Sequence, residues 1–157
     1  MIKIDLNVGV ISDTHGLLRP QAVAALRGCD LIVHAGDVGE EAVLDGLRAV
    51  APTHAIRGNV DTATWAQGLP PTDVVEVGVL SFYVPHNIEE LDLDPPTAGF
   101  ATVVYGHSHQ PMIAIRDEVL YLNPGSAGPR RFRLPVTIAH VAVAGRELRP
   151  KIVELDV

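Results

Sequence analysis

The stretch Val103-Val104-Tyr105-Gly106-His107-Ser108-His109 closes an apolar run with a glycine and two histidines spaced two apart. In an extended backbone, residues i and i+2 project to the same side, so this pair predicts two imidazoles aimed at one spot. Four other apolar runs also end in groups able to bind a metal: Asp13 with His15, then Asp37, Asn59 and His86. Each ending alone is an ordinary turn or chance pairing. Together, each at the end of an apolar run, they predict one site built from strand ends.

The runs alternate with helical patterns in the first third of the chain. Residues 3–11 read as a buried strand. A helix is predicted over 20–27, with Val23, Ala24 and Leu26 facing the sheet, then a strand at 31–34. A second helix is predicted over 40–50, its apolar side made by Ala42, Val43, Leu44 and Leu47, its first turn acidic, its end set by Pro52. A third strand follows at 53–57, so this part is a parallel β-α-β-α-β unit. The rest is richer in strand: a hairpin of 74–77 with 79–84 at Gly78, a strand at 101–105, a hairpin of 112–116 with 119–123, and a closing pair of 136–143 with 147–155. Residues 89–99, acidic and containing Pro95-Pro96, read as a loop with room for one helical turn. The predicted architecture is a single α/β domain over residues 1–157, with two β-sheets packed as a sandwich and helices outside, an α/β/β/α order of layers.

Composition narrows the function. The 157 residues carry 12 basic and 19 acidic side chains, a net charge of −7, which argues against non-specific binding to a nucleic-acid backbone. A phosphorylated substrate stays open, because bound divalent cations invert the local field. No apolar stretch is long enough to cross a bilayer, and no basic leader with a cleavage site precedes the first strand, so no membrane is expected and a cytoplasmic location is. The single cysteine, Cys29, rules out an internal disulfide and a thiolate cluster, and its position suits packing.

The candidate ligands are two carboxylates, one amide oxygen and four imidazoles. That mix suits Mn, Fe, Ni, Co or Zn and is too rich in nitrogen for Ca or Mg. Seven ligands exceed what one ion usually takes, so two divalent ions sharing a carboxylate are expected, with manganese as the leading choice. In open α/β folds the crevice at the carboxyl ends of strands is where ligands bind, and glycine there permits close approach.

Asp13-x-His15, Gly36-Asp37, Gly58-Asn59-x-Asp61, His86 and Gly106-His107-Ser108-His109 resemble the signature of the calcineurin-like metallophosphoesterases. Asn123-Pro124-Gly125-Ser126 with Pro129-Arg130 resembles the small YfcE-type phosphodiesterase branch, and the likeness runs from Val8 to about Arg130. The resemblance implies that Asp13, His15 and His109 hold one metal, that Asn59, His86 and His107 hold the other, and that Asp37 bridges them. It further implies attack of a metal-bridging hydroxide on a small phosphodiester, with Asp37, Asn59, Asp61 and His86 as catalytic residues and Arg130 on a phosphate oxygen. Nucleic acid enters only as a substrate end. Homo-oligomers, dimers or tetramers, are common in the family.

Two departures from the pattern bear on activity. Where many members carry Gly-Asn-His-Glu this chain has Gly58-Asn59-Val60-Asp61, and Val60 cannot donate a proton to a leaving group. Where the branch carries His-Gly-His this chain reads His86-Asn87-Ile88; Asn87 could supply the left-handed turn of a glycine, while the second histidine is lost. The alternative reading is therefore a weak or inactive scaffold that works by protein interaction, as the retromer subunit of this family does. Intact ligands at all seven positions distinguish the enzyme from it. Several residues keep two readings. His34 orients a ligand or is a hydrogen-bonded strand-end histidine, Asp61 serves a ligand or a turn, and Trp65 covers the cleft or a subunit contact. His54 and His140 are read as structural, and Ser126 as a turn residue.

Overall fold

A computed structural model describes residues 5–157. The first sheet has the order β10-β9-β1-β2-β3 and the second β4-β5-β6-β8-β7, five strands each. In the first sheet β1 (Asp5–Ile11), β2 (Leu31–His34) and β3 (Thr53–Ala55) run parallel, and β9 (Thr137–Ala144) and β10 (Glu147–Glu154) add antiparallel strands beyond β1. In the second, β5 (Leu80–Pro85), β6 (Thr102–Val104) and β8 (Val119–Asn123) are parallel, and β4 (Thr72–Val77) and β7 (Met112–Arg116) form antiparallel edges. The expected start of the first strand at residues 3 and 4 lies outside the described residues.

Period-two alternation assigns the faces. Val8, Val10, Val33 and Ile56 from the first sheet meet Phe82, Val84, Val104, Leu120 and Leu122 from the second in one buried cluster. The alternate residues of the first sheet, Ile11, Ile32 and Ile138, pack under the helices α1 (Pro20–Leu26) and α2 (Glu41–Arg48). Both helices bury a narrower stripe than expected: Ala22 and Leu26 in α1, with Ala24 exposed, and Val43, Leu44 and Leu47 in α2, with Ala42 exposed. On the outer face of the second sheet the helical cover is slight. Ile88, in a single 3₁₀ turn (Ile88–Glu90), packs on Val103, Tyr105 and Val119, and α3 (Pro95–Ala98) is one turn long.

Trp65 lies in a 3₁₀ turn (Thr64–Gly68) and packs, half-buried, against the α1/α2 cluster rather than over the cleft. Cys29 is buried with its sulfur 3.5 Å from His140 Nδ1, while His140 Nε2–H donates to the Ala25 carbonyl at 2.8 Å; the pair ties α1 to β9. That Nε2 bond fixes the tautomer, so the Cys29 thiol is the donor to Nδ1, and burial raises its pKa further.

Phe82 is fully buried between the sheets. Phe82→Ala should cost about 3–5 kcal/mol, read as a lower urea midpoint at unchanged m-value.

Candidate metal centre

Five strands end where the site begins: β1 leads to Asp13 and His15, β2 to Asp37, β3 to Asn59, β5 to His86, and β6 to His107 and His109. The chain does not leave these strands in extended form. Asp13, His15, Asp37, His107 and His109 all have left-handed φ, at 54°, 47°, 57°, 72° and 64°. Non-glycine residues adopt that region at a cost and collect there at functional sites. This overturns the extended His-x-His geometry expected from sequence, because β6 stops at Val104 and the two imidazoles turn to different groups.

Asp13, His15 and His109 converge as one set, and Asp37, His86 and His107 as another, with one ligand atom from each residue of a set within 4.8 Å of the others. In the first set His109 Nε2 lies 3.5 Å and His15 Nε2 3.9 Å from Asp13 Oδ1, and the two Nε2 atoms are 3.3 Å apart. In the second, His86 Nε2 is 3.2 Å from Asp37 Oδ2. Asp37 also reaches the first set, 3.8 Å from His15 Nε2, as Asp13 reaches the second, 3.9 Å from His86 Nε2. Two adjoining ligand sets share carboxylate neighbours.

The local hydrogen bonds decide what these atoms offer. His86 Nδ1 lies 2.7 Å from the Ala35 carbonyl, which only accepts, so Nδ1 carries the proton. In the neutral ring Nε2 then presents a lone pair to the Asp37 carboxylate. A backbone carbonyl that fixes the tautomer in this way is the usual support of a metal-binding histidine. Asp13 Oδ1 is buried with no hydrogen-bond donor, although Oδ2 accepts from Ser12 Oγ at 2.7 Å and from the His107 amide at 3.1 Å. The Asn59 side-chain amide stands 3.1 Å from His86 Nε2 and 3.2 and 3.3 Å from the two Asp37 oxygens. Turned nitrogen-in it donates to them; turned oxygen-in it joins them as an acceptor around a cation. A buried carboxylate oxygen without a hydrogen-bond partner, among imidazole nitrogens, fits a cation.

The titration behaviour follows the same geometry. Burial raises the Asp13 pKa to about 6, against the Ser12 hydrogen bond and the charge of His86, and the nearby Asp37 adds to the rise. Burial also acts against the Asp37 carboxylate, but the His86 hydrogen bond and the Val60 amide outweigh it and hold the pKa at about 2. For His86, burial is outweighed by Asp37 and the Ala35 carbonyl, so its pKa rises. Burial lowers His109 to about 4 and lowers His15, and the positive charge of Arg131 pushes both the same way.

Several residues brace the ligand loops. Asp61 accepts from three backbone amides, Val38 at 3.0 Å, Gly39 at 2.9 Å and Gly58 at 2.9 Å, so its carboxylate pins the Asp37 loop to the Asn59 loop. It belongs to neither ligand set, and its geometry is that of a positioning residue rather than the expected catalytic one. His34 is fully buried; its Nδ1 accepts from the Gly36 amide, so Nε2–H donates to Thr14 Oγ1 at 3.0 Å, which donates on to the Val38 carbonyl. Ser126 Oγ donates to the Asp13 carbonyl, and Asn123 Nδ2 to the Gly106 carbonyl and Ser108 Oγ. Sequence reading left Asn123 as the end of a strand and Ser126 as a turn residue; their place in a four-residue motif after a strand was the available signal. A Cβ on Gly58 would overlap Asp37 Oδ1 and one on Gly106 would overlap Ser12 Oγ, which is why glycine introduces both ligand groups.

The departures from the family pattern also find places. Val60 is 45% exposed beside the site and supplies a backbone N–H to Asp37 Oδ1 at 3.1 Å. Asn87 has φ −118°, not the left-handed turn expected, and caps the following 3₁₀ turn by accepting from the Glu89 amide. Arg130 is exposed; the arginine whose charge reaches His15 and His109 is its neighbour Arg131.

Residues 6–146 match the calcineurin-like phosphoesterase superfamily domain. The chain belongs to that superfamily. It is 34% identical over 132 residues to a probable metallophosphoesterase of Methanocaldococcus jannaschii, covering 76% of this chain and 67% of that one. Among solved structures, a novel archaeal phosphodiesterase superposes with TM-score 0.78 at 23% identity, over 94% of this chain and all of that one. Vacuolar protein sorting 29 from Cryptosporidium parvum superposes with TM-score 0.77 at 17% identity, over 98% of this chain and 99% of that one. The calcineurin-like fold therefore serves as frame both for a phosphodiesterase and for a sorting protein.

His34 supplies a pH test. Burial holds it neutral, with a pKa of about 4, whereas the unfolded chain takes up a proton near the ordinary histidine value of 6.5. Its contribution is thus complete above pH 6.5 and is lost as pH falls toward 4, on the order of 3 kcal/mol in all. In metal-free protein, urea unfolding followed against pH should lose up to one proton's worth of slope in His34→Gln; an unchanged slope would place the titration elsewhere.

Proposed function

We propose that this chain is a binuclear metal-dependent phosphodiesterase acting on small phosphodiesters. The observation that carries the reading is the pair of adjoining ligand sets, with Asp37 next to both and with the buried Asp13 Oδ1 left without a hydrogen-bond partner. Asp13, His15 and His109 would hold one divalent ion; Asn59, His86 and His107 the other; Asp37 would bridge. The donor set favours Mn, with Ni, Fe, Co or Zn as alternatives. When bound, two such ions lower the pKa of water and neutralise the oxygens of an attacked phosphate.

The chain's own residues set the rest. A cleft of about 580 Å³ opens beside the second ligand set, lined by Arg57, Asn59, Tyr83, His86 and His107 among others. It can receive one ester arm while the phosphate rests at the metal centre. Asp61 and His34 keep the Asp37 loop fixed against the rearrangement that charge transfer would otherwise provoke. Val60 offers no proton, so the chain is suited to esters with a good leaving group. The proposed assembly is one domain that works in the cytoplasm.

The test is hydrolysis of bis-p-nitrophenyl phosphate and p-nitrophenyl phosphate by metal-stripped protein, with Mn, Ni, Co, Zn or Mg added back. Activity should return with a transition metal, favour the diester, and fall at least about a hundredfold in Asp37→Ala. Two bound metals with neither ester cleaved would sink the enzyme reading and leave the interaction scaffold in its place.

A further inference from the structure

Residues 130–133 read Arg-Arg-Phe-Arg, three cations and one aromatic in a chain of net charge −7. All four are exposed, and Phe132 is 92% exposed. The Leu134 amide donates to the Arg131 carbonyl, closing a tight turn with Phe132 at its tip. Phe132 has φ 52°. Among the described residues it is the one left-handed non-glycine outside the metal ligands and the Asp117-Glu118 hairpin turn. A bulky aromatic in that region is an outlier, and here no packing repays it.

The turn is not a loose flap. Its base is tied to the first ligand loop: the Ala127 amide donates to the Ser12 carbonyl, Ser126 Oγ to the Asp13 carbonyl, and Arg19 to the Gly128 carbonyl. Gly128 lies so close to the Asp13 and Thr14 carbonyls that a Cβ would overlap both. The loop that holds Asp13 and His15 therefore carries this turn at its rim. Arg131 is near enough for its charge to act on His15 and His109. The cleft described above lies toward the other ligand set.

We infer that the Arg130–Arg133 turn is a binding subsite for the nucleotide arm of the substrate, a base stacking on Phe132 while the arginines hold the flanking phosphates. The substrate class is then a short single-stranded nucleic-acid end or a dinucleotide diester. Guanidinium groups match phosphate oxygens in a fixed fork, and an exposed aromatic face accepts any base. Net charge of −7 repels long polyanions, so recognition is confined to the few nucleotides next to the site. A phosphodiester laid across the metal centre would place one arm in the cleft and the other on the turn. A membrane surface presents phosphates too, but a single aromatic on an acidic chain is a weak anchor for it.

The inference rests on the proposed reaction for its meaning but is tested by binding alone. Anisotropy of a fluorescein-labelled hexathymidylate should show binding to the full chain in EDTA, weakening as salt rises. Phe132→Ala and Arg131→Gln should each weaken it at least about fivefold, stacking alone being worth roughly 1–3 kcal/mol. Circular dichroism and Mn stoichiometry serve as controls for folding. In parallel, Mn-loaded protein should cleave a dinucleotide with KM raised in Phe132→Ala and kcat within about twofold. No oligonucleotide binding, or binding indifferent to both substitutions, overturns the inference even if bis-p-nitrophenyl phosphate is hydrolysed. Binding to vesicles containing phosphatidylserine without binding to the oligonucleotide overturns it, as does a Phe132→Ala variant that dissociates a dimer on sedimentation with unchanged oligonucleotide affinity. Oligonucleotide binding with no ester hydrolysed upholds the subsite and removes the enzyme reading instead.

Discussion

The structure depends on one unfavourable arrangement: a buried carboxylate oxygen of Asp13 with no hydrogen-bond partner, set beside the Nε2 atoms of His86 and His109. Left to itself this cluster opposes folding, since buried acceptors without donors cost roughly 1–3 kcal/mol each. Burial moves the Asp13 pKa toward neutrality, which is the group's own way of escaping the charge. A cation would resolve the conflict, because the unpartnered carboxylate oxygen would then face a positive charge. The site is built for an occupant.

The surrounding fold holds that arrangement against relaxation. Five ligand residues sit in left-handed conformations that each cost of order 1–3 kcal/mol, and they would revert if their loops were free. They are not free. Asp61 binds three amides, Ser126 and Asn123 reach from the end of β8 to the loops after β1 and β6, and His34 joins the loops after β1 and β2 through Thr14. Each brace is a short polar side chain that satisfies a buried backbone group, so it adds rigidity without leaving a new polar atom unpaired. The inter-sheet core supplies the stability these strained loops draw on.

Much of this was legible in the sequence, for physical reasons that also mark where reading fails. Apolar alternation names the strands because a buried sheet face demands it, and every strand expected from the pattern is present within a few residues. The endings named the residues that converge at the strand ends because metal donors in strand-end turns have few other reasons to collect. Backbone conformation at those endings was not legible. His107 and His109 were expected in extended form, and Asn87 in a left-handed turn; the structure reverses both. At His107 a long-range bond from its amide to Asp13 accompanies the change, whereas at Asn87 a local cap on the Glu89 amide does. Asp61 and His34 were each left between two roles because hydrogen bonds to groups about twenty residues away, the Val38 and Gly39 amides for Asp61 and the Thr14 hydroxyl for His34, leave no mark on spacing. Arg130 and Arg131 differ by one position, and spacing alone does not say that it is the charge of Arg131 that reaches His15 and His109.

The same logic separates fold from chemistry in this superfamily. A sheet sandwich with this topology persists at 17% identity in a sorting protein, so the architecture alone carries no catalytic information. What is particular to this chain is the coincidence of strain, unsatisfied acceptors and bracing at one end of the strands. A scaffold freed of metal would gain stability by letting its left-handed ligand residues relax and by replacing buried acceptors with packing groups. This chain has done neither: all seven ligand positions retain donor atoms, and the braces that hold them remain complete. Keeping a destabilising constellation of this kind is the physical argument behind the proposed metal centre.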